Sequence, residues 1–152
     1  MTIGDRTIEV VSHAGQGPTI IFEASAGVGL TTWINFAQTL DPSIPWICYS
    51  RAGYRGSSSV PGERTPVVIT RELHELLITE KLEPPYILVG HSYEGLCARV
   101  YSALYPSEIS GLVLDDPSYE SFHHDLKMMA SSLFETLTAV PPMSIVRPHH
   151  AR

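Results

Sequence analysis

Four short apolar runs recur along the chain: TIIF at Thr19–Phe22, WICY at Trp46–Tyr49, YILV at Tyr86–Val89 and GLVL at Gly111–Leu114. Each is too short for a helix and too continuous for a strand with one wet face. They read as strands buried on both sides. Helical patterns separate them. Leu30 to Leu40 sets Leu30, Trp33, Ile34, Phe36, Ala37 and Leu40 near one face, and Val67 to Leu82 does the same with Leu73, Leu76 and Leu77. After the third run, Leu96, Val100, Ala103 and Leu104 make another apolar face, which ends near Tyr105-Pro106. Strands alternating with amphipathic helices need crossover connections. The expected fold is therefore α/β, a mostly parallel sheet of about five strands flanked by helices in three layers. A further short strand is expected at Thr7–Val11, before the turn HAGQGP at His13–Pro18.

The chain has 152 residues, 43% of them hydrophobic, which is enough for one folded core. Its formal net charge of −6, with basic residues scattered, argues against nucleic acid as a partner. No apolar run reaches the length of a membrane span, and MTIGDRTIEVV lacks a signal-peptide pattern, so a cytoplasmic location is expected. Cys48 and Cys97 sit in apolar surroundings and read as buried free thiols. No metal-ligand spacing stands out. His123, His124 and Asp125 are sequential neighbours that a helix would point apart, so neither metal nor cofactor is expected.

The chemistry concentrates where YILV ends, in Gly90-His91-Ser92-Tyr93-Glu94-Gly95. A strand feeding a helix through this sequence is close to the G-x-S-x-G turn that exposes a serine hydroxyl at the carboxyl edge of a parallel sheet. The turn would present Ser92 and would aim the Tyr93 N–H, at the helix's positive end, toward a developing oxyanion.

From about Thr19 to Pro117 the chain resembles the α/β-hydrolase superfamily, in the N-terminal portion of its serine esterase and lipase members. TIIFEASAG, CYSRAGYRGSS, LEPPYILVGHSYEG and YPSEISGLVLDDPS carry the likeness in order. The resemblance implies a partial α/β-hydrolase fold with Ser92 as nucleophile and the Tyr93 N–H as an oxyanion donor. Ser25 or Ala26 would give the second donor. The implied reaction is hydrolysis of a small ester-like substrate. The implied domains are a core over residues 1–120, a helix over 121–140 where the family begins its cap, and an unpatterned tail over 141–152.

Three departures qualify this. Glu94 stands where the family has glycine, so either it points outward or the turn is distorted. Ser50 replaces a common aspartate and Arg55 a common glycine, while Arg51 reads as tying down its loop. The third concerns the acid and base, which the family places after two further strands. These are absent, so the chain reads as truncated, and as weak or inactive. Asp116, His123 and His124 are the internal acid or base candidates. His91 reads as structural, and His13 and His74 as solvated. The alternatives to an active hydrolase are a non-catalytic remnant or interaction module, and a fragment of a longer gene product. GLVL would then be a bare sheet edge able to pair with a second chain.

Overall fold

The computed structural model describes residues 2–3, 5–24 and 27–117. Its centre is a five-stranded sheet in the order β3-β5-β4-β6-β7. The strands are β3 (Glu9–His13), β4 (Thr19–Glu23), β5 (Trp46–Ser50), β6 (Tyr86–His91) and β7 (Ile109–Asp115). The last four run parallel, and β3 is antiparallel to β5. A separate two-stranded hairpin joins β1 (Thr2–Ile3) to β2 (Arg6–Thr7). All four apolar runs form strands, each continuing past the run by one or more residues.

The first expected strand is displaced. Thr7 pairs with Thr2 in the hairpin, and the main-sheet strand begins at Glu9. Side chains of the loop after β5 fix this break: Ser58 Oγ accepts from the Thr7 N–H and Ser57 Oγ from the Glu9 N–H, both at 2.9 Å. Alternation shows which residues are extended and cannot show what they pair with.

Among the described residues three α-helices cover the sheet: α1 (Thr31–Ala37), α2 (Pro66–Thr79) and α3 (Tyr93–Leu104). The expected α1 is shorter than its apolar pattern. α2 starts where Thr65 Oγ1 accepts from the Val68 N–H at 3.3 Å, with Pro66 in the first turn. Period-two alternation sorts the strands onto two cores. Ile21, Ile47, Tyr49 and Leu88 pack with Leu73, Leu76 and Leu77 of α2 and with Ala98 and Tyr101 of α3. Phe22, Trp46, Cys48 and Val89 pack with Trp33, Ile34 and Ala37 of α1. The molecule thus has the three layers expected. Both cysteines are buried and free.

His74 corrects the sequence reading. It is half-buried and not solvated: its ring stacks on Tyr105 at 3.9 Å, and Nε2 lies 3.1 Å from Glu108 Oε1. His13, at the end of β3, is exposed and stacks on Trp46, the first residue of β5. Both histidines therefore lie toward the amino edge of the parallel strands. The helix expected over 121–140 and the tail over 141–152 lie outside the described residues.

Candidate active site at the β6–α3 turn

β6 lies between β4 and β7, and its carboxyl end turns directly into α3. Ser92 occupies the turn with φ 57° and ψ −122°. This left-handed conformation is costly for a residue with a Cβ, and such strain gathers at functional turns. The Ser92 N–H donates to the Asp115 carbonyl of β7 at 3.1 Å, which carries the sheet ladder into the turn. The Gly95 N–H donates to the Ser92 carbonyl at 3.0 Å and starts the helix. Tyr93 is the first residue of α3, so its N–H lies at the positive end of the helix.

The two glycines flanking the turn explain its sequence. A Cβ on Gly90 would lie 2.6 Å from the Glu94 carbonyl oxygen, and one on Gly95 would lie 2.7 Å from Pro117 Cβ. The strand-to-helix approach therefore needs glycine at 90. The contact with the segment leaving β7 needs it at 95, one residue later than the familiar spacing.

Glu94 follows neither expectation. The turn keeps its positive-φ serine, and Glu94 points inward, with 0% of its surface exposed. The room is made by Arg51, 7% exposed, whose Nη2 lies 2.7 Å from Glu94 Oε1. That contact is close without meeting hydrogen-bond geometry, and the Cys97 thiol beside the Glu94 carboxylate also favours its charged form. The Arg51 guanidinium also sits 5.0 Å from the Tyr54 ring centroid and 5.8 Å from that of Tyr93. Arg51 thus ties its loop down, as its sequence position suggested, by joining the end of β5 to the turn.

A second carboxylate enters the same pocket. Glu23, the last residue of β4, is 1% exposed and accepts from the Tyr49 hydroxyl at 3.0 Å. Burial, then the neighbouring Glu94, pushes the Glu23 carboxyl up to about 8, against the pull of Tyr49 and Arg51. Burial also pushes Glu94 up, to about 7, with Arg51 opposing it. The Cys97 thiol, one helical turn on, is held well above its ordinary value, chiefly by burial. It is not a reactive cysteine. Sequence reasoning missed Glu23 and Tyr49, which look like ordinary strand ends. The only signal was a charged residue closing the apolar run TIIF.

The other departures also serve structure. Ser50 Oγ donates to Glu9 Oε2 at 2.6 Å and accepts from the Leu30 N–H at 3.1 Å. Arg55 has φ 49°, and its Nε lies 3.8 Å from Glu9 Oε2. Asp116 is exposed at the carboxyl edge, with φ 40°. Ser25, Ala26, His123 and His124 lie outside the described residues. A cleft of about 460 Å³ opens beside the turn, lined by Arg51, Tyr54, Val60, Arg64, Ile69 and Tyr93 but not by Ser92. Among the described residues no three metal-ligating side chains converge, and no helix is long and apolar enough to cross a membrane.

Comparison with known proteins agrees with this architecture. The family model described as alpha/beta hydrolase fold matches residues 18–142. The uncharacterized protein YqjL of Bacillus subtilis (strain 168) is 33% identical over 103 residues, 68% of this chain and 41% of its own length. Human monoacylglycerol lipase ABHD6 is 27% identical over 112 residues, 68% of this chain and 32% of its own. A thermophilic esterase from Thermogutta terrifontis superposes with a TM-score of 0.68 at 19% identity, over 83% of this chain and 47% of that one. The chain thus spans under half the length of each of these three. The family match covers the four parallel strands, the three α-helices of the described residues and the serine turn, and the chain belongs to the α/β-hydrolase superfamily.

Proposed function

We propose that this chain carries the nucleophile half of a serine hydrolase acting on carboxylic esters. The strained backbone of Ser92 at the strand-to-helix turn carries this reading. In it, the Ser92 hydroxyl gives its proton to a base while Oγ bonds the ester carbonyl carbon. The carbonyl oxygen becomes an oxyanion held by the Tyr93 N–H and by one from Ser25 or Ala26. The alcohol leaves with the proton, and water then releases the acid and restores Ser92.

The base is a histidine. His13 and His74 lie toward the far edge of the sheet and are engaged there. His91 closes β6 opposite Asp115 in the register, beside the nucleophile. His123 and His124 are the first candidates within the chain, with Asp116 as acid. A histidine from a longer form of the protein or from a second chain would serve equally.

The buried Glu94 favours a second reading, a fold kept for interaction without turnover, because a carboxylate two residues from Ser92 opposes a developing oxyanion. Fluorophosphonate labelling read by intact mass, beside Ser92→Ala, decides between them. One adduct on the parent and none on Ser92→Ala is the expected result. No adduct on a folded parent would leave the second reading.

A further inference from the structure

The mechanism above uses neither Glu23 nor Glu94, yet both are fully buried under the turn that carries it. Arg51 faces Glu94 from the end of β5 at 2.7 Å, and Tyr49 of the same strand donates to Glu23 at 3.0 Å. Tyr93 and Cys97 of α3, and Arg64 from the loop before α2, complete the titratable and charged surroundings of Glu94. Arg64 itself is held by Glu72 through two contacts of 2.6 and 2.7 Å. One buried cation therefore serves two buried carboxylates. Ionising both would leave an excess negative charge away from water, where repulsion is weakly screened. Such a pair keeps one proton and titrates as a unit.

Glu94 directly follows Tyr93 in the first turn of α3, and the strand before Ser92 runs so close to that turn that a Cβ on Gly90 would lie 2.6 Å from the Glu94 carbonyl oxygen. On the other side the Glu23 carbonyl, two residues before Ser25 in the sequence, accepts from Trp33 Nε1 at 2.9 Å.

We propose that Glu23 and Glu94 hold one proton between them around Arg51, and that losing that proton displaces the Tyr93 N–H. Arg51, Glu23 and Glu94 are then positioning residues for the oxyanion site, an assignment that rests on the hydrolase reading of Tyr93. The second ionisation also adds a negative charge beside that site. Acyl transfer by Ser92 therefore declines as the proton leaves, opposite to the rise expected when a histidine base is deprotonated.

The test is the ¹⁵N–¹H shift of the Tyr93 amide, followed from pH 5 to 9 in the full chain and in Glu23→Gln and Glu94→Gln. The expected result is a titration with a midpoint near neutrality in the parent, with the Gly90 amide moving alongside, and its loss in Glu23→Gln. A flat Tyr93 amide in the parent overturns the proposal. So does a titration that persists unchanged in Glu23→Gln, since the shared proton would then not be its cause. If Glu94→Gln fails to fold, Glu23→Gln carries the test, because it leaves the Arg51–Glu94 pair in place. Fluorophosphonate labelling of the same samples keeps the two readings apart. An unlabelled Ser92 with a titrating amide sinks the hydrolase reading, and a labelled Ser92 with a flat amide sinks the shared proton.

Discussion

Arg51 Nη2 and Glu94 Oε1 lie 2.7 Å apart in the interior, joining the loop after β5 to the first turn of α3. Removing the cation leaves a buried carboxylate without its partner. Arg51→Met is expected to lower stability at pH 8 by about 3 kcal/mol in urea unfolding. The loss should be smaller at pH 5, where Glu94 takes up a proton. The double variant Arg51→Met/Glu94→Leu should recover most of the loss, since apolar replacement of a whole buried pair is often neutral. Equal losses in the single and double variants would show that the side chains matter through packing alone.

The acid pair gives stability a definite pH slope. Glu23 is raised from an ordinary 4.5 to about 8, so the folded state keeps a proton that the unfolded chain has already released. That contribution is complete below about 4.5 and is lost as pH rises through about 8. Unfolding free energy should therefore fall across this window, by an amount on the order of a few kcal/mol. Glu23→Gln should flatten the slope. A parent whose stability rises from pH 5 to 8 would contradict the buried arrangement.

Ser92 at φ 57° is strained, and glycine is not. Ser92→Gly should raise unfolding free energy by about 1 kcal/mol while abolishing fluorophosphonate labelling. A destabilised Ser92→Gly would mean that the serine side chain contributes more than its backbone costs.

The glycines separate close approach from backbone conformation. Gly90→Ala places a Cβ 2.6 Å from a backbone oxygen and should cost about 3 kcal/mol or prevent folding. Gly62, with φ +99° and nothing within 4 Å, should cost about 1 kcal/mol as alanine. Similar losses at both positions in thermal or urea melts would argue against a tight turn at Gly90.

Among the described residues β7 pairs only with β6, and Leu112 and Val113 on it are half-buried. If this edge is open, light scattering after size exclusion should show dimers or larger species, and Val113→Lys should shift them toward monomer. A parent that is monomeric at high concentration would mean that the edge is covered.

The strands were legible because they are buried on both faces. TIIF, WICY and YILV had to be apolar throughout, and continuous runs of that length leave few alternatives. The serine turn was legible for a similar reason: positive φ and close approach dictate its glycines. What could not be read is what meets across the fold. Glu94 looked either exposed or disruptive because Arg51, which accommodates it, comes from the loop after β5, far away in sequence. His74 looked like helix surface because Tyr105 and Glu108 are distant in sequence. Thr7 looked like part of the main sheet because alternation carries no information about partners. Local rules found the elements and the strained serine, whereas charge pairing between elements needed coordinates.

A Cβ on Gly95 would lie 2.7 Å from Pro117 Cβ, so the segment leaving β7 runs close beside the serine turn. That close approach should make the segment a mechanical lever: a load applied at Pro117, by a fused tag or a tether in an optical trap, is expected to reach β7 and the turn before β4 and β5. A pull applied there should distort Ser92 at forces that leave β4 and β5 intact. For the same reason, a label for watching this turn at work is best placed on the far side of the molecule.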